Sequence, residues 1–104
     1  MRRAVAFVDE NFHRDIGVCD IAHAVHVTPR TVQLMFRRHL GTTPMGYLRR
    51  VRLDRAHHEL IDADPTAATV SEIAARWGFG HAGRFSARYQ KTYGCAPSVT
   101  LRGG

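Results

Sequence analysis

Apolar residues return every three or four positions along this chain and nowhere alternate two by two, which is the period of helices and not of strands. The first such stretch runs from about Arg2 to Phe12, with Val5, Val8 and Phe12 on one face. Gly17 and the polar turn before it break the pattern, and a short helix is expected from Val18 to Val25, with Val18, Ile21, Ala22 and Val25 inward. Thr28-Pro29 is a start signal, a capping threonine followed by proline in the first turn. The helix it opens reaches about Leu40, carries Val32, Phe36 and Leu40 as its apolar stripe, and stops at Gly41. Thr43-Pro44 repeats the start signal and opens a long helix to about Ile61, with Tyr47, Leu48, Val51, Ala56 and Leu60 as apolar positions. A polar connection with Pro65 covers 62–69 and is the expected subdomain boundary. Further helices are expected from Val70 to Trp77, from Ala82 to Tyr93 with Phe85, Tyr89 and Tyr93 inward, and from Pro97 to about Arg102.

The two halves repeat each other. Val18, Ile21 and Ala22 correspond to Val70, Ile73 and Ala74 at an offset of 52. Val32, Phe36, Gly41, Pro44 and Leu48-Arg49 correspond to Phe85, Tyr89, Gly94, Pro97 and Leu101-Arg102 at an offset of 53. One residue has therefore been added in the second copy, between its short and its longer helix. Short helix, tight turn and longer helix make a helix-turn-helix, whose second helix enters a DNA major groove. The reading is an all-α chain of about seven helices: a first helix-turn-helix subdomain over 1–43, a linker helix over 44–62 and a second helix-turn-helix subdomain over 63–104.

Charge changes this picture from a helical hairpin to a binding surface. Net charge is +6, and Lys91 is the only lysine among 15 basic residues. Arginine offers a planar fork for phosphate and guanine, although a GC-rich genome also enriches it. Placement says more. No acid occurs between Ile21 and Leu53, where Arg30, Arg37, Arg38, Arg49, Arg50 and Arg52 stand, and none occurs from Ile73 onward, where Arg76, Arg84, Arg88, Lys91 and Arg102 stand. Two acid-free basic blocks separated by an acidic connection are two surfaces for a polyanion.

The order Ile73-Ala74, Trp77-Gly78-Phe79, Phe85-Ser86, Tyr89-Gln90-Lys91, Gly94 and Pro97-Ser98 resembles the C-terminal signature of the AraC/XylS family of transcription regulators. Ile21-Ala22, Thr28-Pro29-Arg30-Thr31-Val32-Gln33, Phe36-Arg37-Arg38 and Gly41-Thr42-Thr43-Pro44 resemble its first unit, so the likeness covers about 2–102. It implies sequence-specific binding of double-stranded DNA by two recognition helices in adjacent major grooves. It also implies RNA polymerase as a partner and, in most members, a separate effector-binding or dimerisation domain, usually N-terminal; the chain is then either a stand-alone small member or, the reading favoured, a fragment of a longer regulator whose N-terminal part is missing. With no run of 18 apolar residues and no signal-peptide block at its start, no membrane span and a cytoplasmic protein are expected. By this likeness Arg30, Thr31, Gln33, Leu34, Ala82, Gly83 and Arg84 face bases, with Ala87 among the same positions and Arg88 beside them. Arg30 suits a guanine edge and Gln33 an adenine edge, while Leu34 offers only an apolar contact such as a thymine methyl. Thr28, Arg37, Arg38, His81 and Lys91 are placed for phosphate. Leu34 and Ala87 stand where the family often has arginine, and His81 where it has a serine or aspartate cap. A less firmly capped second recognition helix is therefore expected, with His81 turned to phosphate.

The linker helix has roughly 18 residues, about 27 Å at 1.5 Å per residue. Successive major grooves on one face lie about 34 Å apart. With a rigid linker, both recognition helices engage only if the DNA bends or one unit lets go.

Other chemistry is thinly represented. No nucleophile, phosphate-loop or paired-carboxylate pattern stands at catalytic spacing, so no enzyme activity, cofactor or metal is expected. Of the seven histidines, His23 and His26 straddle a helix end and His57-His58 are adjacent, neither a ligand geometry. Cys19 and Cys95 form no C-x-x-C pair and read as reduced thiols. Helix-turn-helix units also serve as protein docking modules, which duplex binding and its salt dependence distinguish.

Overall fold

The computed structural model describes residues 1–103. Those residues form seven helices and no strand: α1 Arg2–Asn11, α2 Val18–Ala24, α3 Pro29–Leu40, α4 Pro44–Asp62, α5 Val70–Arg76, α6 Ala82–Tyr93 and α7 Pro97–Leu101. They divide into two compact units, Met1–Val51 and a second from Arg52 onward. The division runs inside α4. The connection over 62–69, expected to be the boundary, instead belongs to the second unit, where Ala63 and Ala68 pack on its core.

The first core gathers Ala4 and Val8 of α1, Ile16 of the connection that follows, Ile21 and Ala22 of α2, Val32 and Phe36 of α3 and Leu48 of α4. On α1 the fully buried pair is Ala4 and Val8, one turn apart, while Val5 and Phe12 are half-buried at its edge. Phe36 tilts against Tyr47, ring centroids 5.8 Å apart. The Tyr47 hydroxyl donates to Asp9 Oδ1 at 2.9 Å, tying α4 to α1. Burial and that carboxylate raise the Tyr47 hydroxyl's pKa to about 12.

The second core gathers Leu53, Ala56 and Leu60 of α4, Ile73 and Ala74 of α5, Phe85 and Tyr89 of α6, and Leu101 of α7. Leu53 belongs to it although its position breaks the apolar run read from the sequence. It follows Leu48 by five residues, which is about 140° round a helix. The stripe of α4 therefore changes phase between its two cores.

Two expected core positions surface. Leu40 is 38% exposed and Tyr93 only half-buried. A spacing of four advances the side chain about 40° round the helix at each step. By the third member of Val32-Phe36-Leu40 or Phe85-Tyr89-Tyr93 the stripe has drifted off the core. Tyr93 compensates by stacking on His57, centroids 3.9 Å apart and planes 9° from parallel. Tyr89 is buried and polar at its tip. Its hydroxyl donates to Thr100 Oγ1 at 2.8 Å, so the oxygen accepts from His57 Nδ1 at 2.6 Å.

Candidate nucleic-acid interface

The turn of each helix-turn-helix is built the same way. After α2, Val27 N–H donates to Ala22 C=O (3.0 Å) and His26 N–H to His23 C=O (3.3 Å). After α5, Phe79 N–H donates to Ala74 C=O (2.9 Å) and Gly78 N–H to Ala75 C=O (3.1 Å). Both are Schellman closures, which need a left-handed residue one place past the cap. That residue is His26 (φ 59°) in the first turn and Gly78 (φ 87°) in the second. The offset of 52 thus persists through Val27 and Phe79. It becomes 53 at the next caps, Thr28 and His81, so Gly80 is the added residue.

These turns aim two helices whose starts are both capped. Thr28 Oγ1 accepts from Thr31 N–H at 3.2 Å. His81 Nδ1 accepts from Arg84 N–H at 3.2 Å. The expectation of a loosely capped α6 is corrected here, because an imidazole nitrogen with its lone pair free substitutes for a serine or aspartate oxygen. Only His81 Nε2 then remains for a phosphate. Thr28 and Thr31 also share a hydroxyl hydrogen bond of 2.8 Å. One of their two hydroxyl hydrogens is spent within the pair and the other is free to donate.

All fourteen residues expected at nucleic acid are exposed: Thr28, Arg30, Thr31, Gln33, Leu34, Arg37 and Arg38 around α3, and His81, Ala82, Gly83, Arg84, Ala87, Arg88 and Lys91 around α6. On α3, Arg30, Gln33, Leu34 and Arg37 fall within about 100° of arc, opposite Val32 and Phe36. They line an open hollow that Thr43 completes from the loop before α4. Thr43 was readable only as a cap, which it is, accepting from Gly46 N–H at 3.0 Å. Its place beside Gln33 depends on how Gly41 (φ 66°) turns the chain back, which no local pattern gives.

On α6 the register of the repeat sets Gly83, Ser86, Ala87 and Gln90 at the positions of Arg30, Gln33, Leu34 and Arg37. Arg84 takes the position of Thr31 and Arg88 that of Met35, so the two arginines flank this small-residue face and do not centre it. Gln90, exposed and in register with Arg37, is a candidate that charge counting passes over. Arg76 leaves the basic block: it pairs with Glu59, whose Oε1 also accepts from Trp77 Nε1–H at 2.8 Å. Among the described residues no three His, Cys, Asp or Glu side chains gather as metal ligands, and no helix is long and apolar enough to cross a membrane.

A family model described as a helix-turn-helix domain matches residues 21–103. The probable thc operon regulatory protein of Rhodococcus erythropolis is 41% identical over 98% of this chain, which spans only 31% of that relative. The crystal structure of a probable AraC family transcriptional regulator from Rhodopseudomonas palustris superposes with a TM-score of 0.89 at 32% identity, over 97% of this chain and 93% of that one. A transcriptional regulator from Chromobacterium violaceum, described among AraC-type DNA-binding domain-containing proteins, gives 0.86 at 27% identity, over 97% and 88%.

Proposed function

This chain belongs to the AraC/XylS-type helix-turn-helix family, and from that premise we propose that it binds double-stranded DNA sequence-specifically through α3 and α6 in adjacent major grooves and so regulates transcription. The observation that carries this reading is the outer face of α3. It sets Arg30, Gln33, Leu34 and Arg37 on one exposed arc, with the Thr28 cap at its leading end. An α-helix fits the major groove, and such an arc presents hydrogen-bond donors and an apolar tip to base edges.

In this reading Arg30 takes a guanine edge and Gln33 an adenine edge. Arg37, Arg38, Lys91, Thr28 and His81 Nε2 hold phosphates. Around α6, Ala82, Gly83 and Ala87 let the backbone come close to the groove. Arg84 reaches a base from the flank and Arg88 lies next to it. Specificity is therefore shared unevenly, with the larger part in the first unit.

The same reading extends to RNA polymerase as a partner, to the cytoplasm as the place of action, and to an effector-binding or dimerisation domain on the same polypeptide. Support for the last is the length of the Rhodococcus relative, of which this chain spans 31%.

Selection of bound sequences from random duplexes tests the core of the proposal. The expected site has two halves about 10 base pairs apart, bound with an affinity that falls steeply as salt rises. Absence of duplex binding even at low salt would overturn it.

A further inference from the structure

Leu34 is the large apolar side chain most exposed on this chain's described surface, at 57%, and it sits in the middle of the face proposed to meet DNA. Phosphate binding gives no reason for it. One turn before it stands Arg30, beside it Gln33, and one turn after it Arg37 and Arg38. Its side chain forms part of two adjoining hollows, one shared with Arg30, Gln33, Arg37 and Thr43, the other walled by Leu34, Arg37 and Arg38. The first has a volume of about 240 Å³. Small-molecule pockets begin at about 300 Å³ and are enclosed, whereas this hollow lies open on a convex helix face. It suits the edge of a flat group and not a whole ligand.

The guanidinium groups on both sides favour an anionic partner, and the floor between them is apolar. A duplex major groove offers both features at once only where a thymine stands: its 5-methyl is the single apolar group among the four base edges, a few ångströms from phosphates on either side. Resting on the DNA reading above, we propose that Leu34 selects a thymine in the first half-site through its 5-methyl group, packed between the leucine tip and the aliphatic stems of Arg37 and Arg38. The methyl is dehydrated by an apolar floor that pays no desolvation cost of its own, while the flanking arginines hold the register. Cytosine carries only a hydrogen at that ring carbon, so a C·G pair in the same place loses the apolar contact.

The test uses a duplex obtained by the selection described above. Each thymine in it is replaced in turn by deoxyuridine, which removes one methyl and leaves base pairing and charge unchanged. One replacement is expected to weaken binding by the unsubstituted protein about fourfold, the equivalent of about 0.8 kcal/mol for one buried apolar carbon. Leu34→Ala should bind the thymine and deoxyuridine duplexes alike, and Leu34→Met, similar in volume, should keep most of the discrimination. Both substitutions lie on an exposed helical position, and circular dichroism verifies their fold. Duplex binding with no methyl-sensitive position overturns the inference and leaves the DNA reading standing. So does sensitivity that survives in Leu34→Ala, which would assign the methyl's effect to DNA shape or to another side chain. Failure to bind any duplex, with Leu34→Ala weakening a protein complex instead, overturns both.

Discussion

His26 occupies the same point of its turn as Gly78, 52 residues later, and both hold left-handed backbone, φ 59° and 87°. An L side chain in that conformation costs about 1 kcal/mol or more, and glycine does not. The first turn therefore carries strain that the second has shed. His26→Gly is expected to raise stability by up to about 1 kcal/mol, and Gly78→Ala to lower it by about 1–2 kcal/mol. Chemical denaturation of the two variants checks the opposed signs; destabilisation by His26→Gly would show that the imidazole makes up for its own backbone.

The His81 cap separates stability from binding. His81→Ala removes the acceptor for Arg84 N–H and should cost about 1 kcal/mol. His81→Asp restores an acceptor that also suits the helix dipole, so stability returns to that of the parent or above it. In the DNA reading the same carboxylate faces phosphate and weakens duplex binding. Thermal melts and duplex titrations of the two variants should thus rank in opposite orders.

All three tyrosines ionise late. Burial, reinforced by Asp9 and Asp54 respectively, raises Tyr47 and Tyr93 to about 12, and burial raises Tyr89 as well. In the unfolded chain they ionise near 10. A raised folded-state pKa gives stability that is fully present below about pH 10 and is lost as pH climbs toward about 12. Tyrosinate absorbance should therefore rise together with loss of helical circular dichroism, and Tyr47→Phe should lower the alkaline sensitivity of the first unit. A gradual titration near pH 10 in a folded protein would contradict this.

Base-reading and phosphate-holding residues give different signatures. Arg30→Ala is expected to relax preference at one position of the site by about 1–3 kcal/mol, and Arg84→Ala to do so in the other half. Lys91→Ala should weaken all sequences alike and lower the slope of affinity against salt by about one ion. Repeating the selection with each variant distinguishes the outcomes; uniform weakening by Arg30→Ala would remove it from the base-reading set.

Helix boundaries were legible because the stops and starts are chemical. Thr28-Pro29, Gly41, Thr43-Pro44 and Gly94 sit at ends that the fold uses, and the internal offset located the added residue to within one turn. Packing was legible only where one face stays in one phase. Leu53 was missed because α4 changes face, and Leu40 was over-read because a spacing of four drifts. The outer arc of α3 follows from helical geometry alone, so Arg30, Gln33, Leu34 and Arg37 could be named in advance. On α6 the arginines drew attention away from the face that the repeat puts in register. Thr43 and the imidazole cap depend on where a loop returns and on a lone pair, neither of which is written in residue spacing.

Because Leu48 lies in one core and Leu53, Ala56 and Leu60 in the other, α4 is a structural debt held in common. Loss of either core leaves half of that helix to survive on its own propensity, which fewer than a dozen residues cannot sustain in water. The two units then behave as nearest neighbours in a short one-dimensional chain, each stabilised by the intactness of the other's end of the helix. Hydrogen exchange along α4 is where such coupling is read: amides near Val51 and Arg52 should open only when one unit or the other unfolds as a whole.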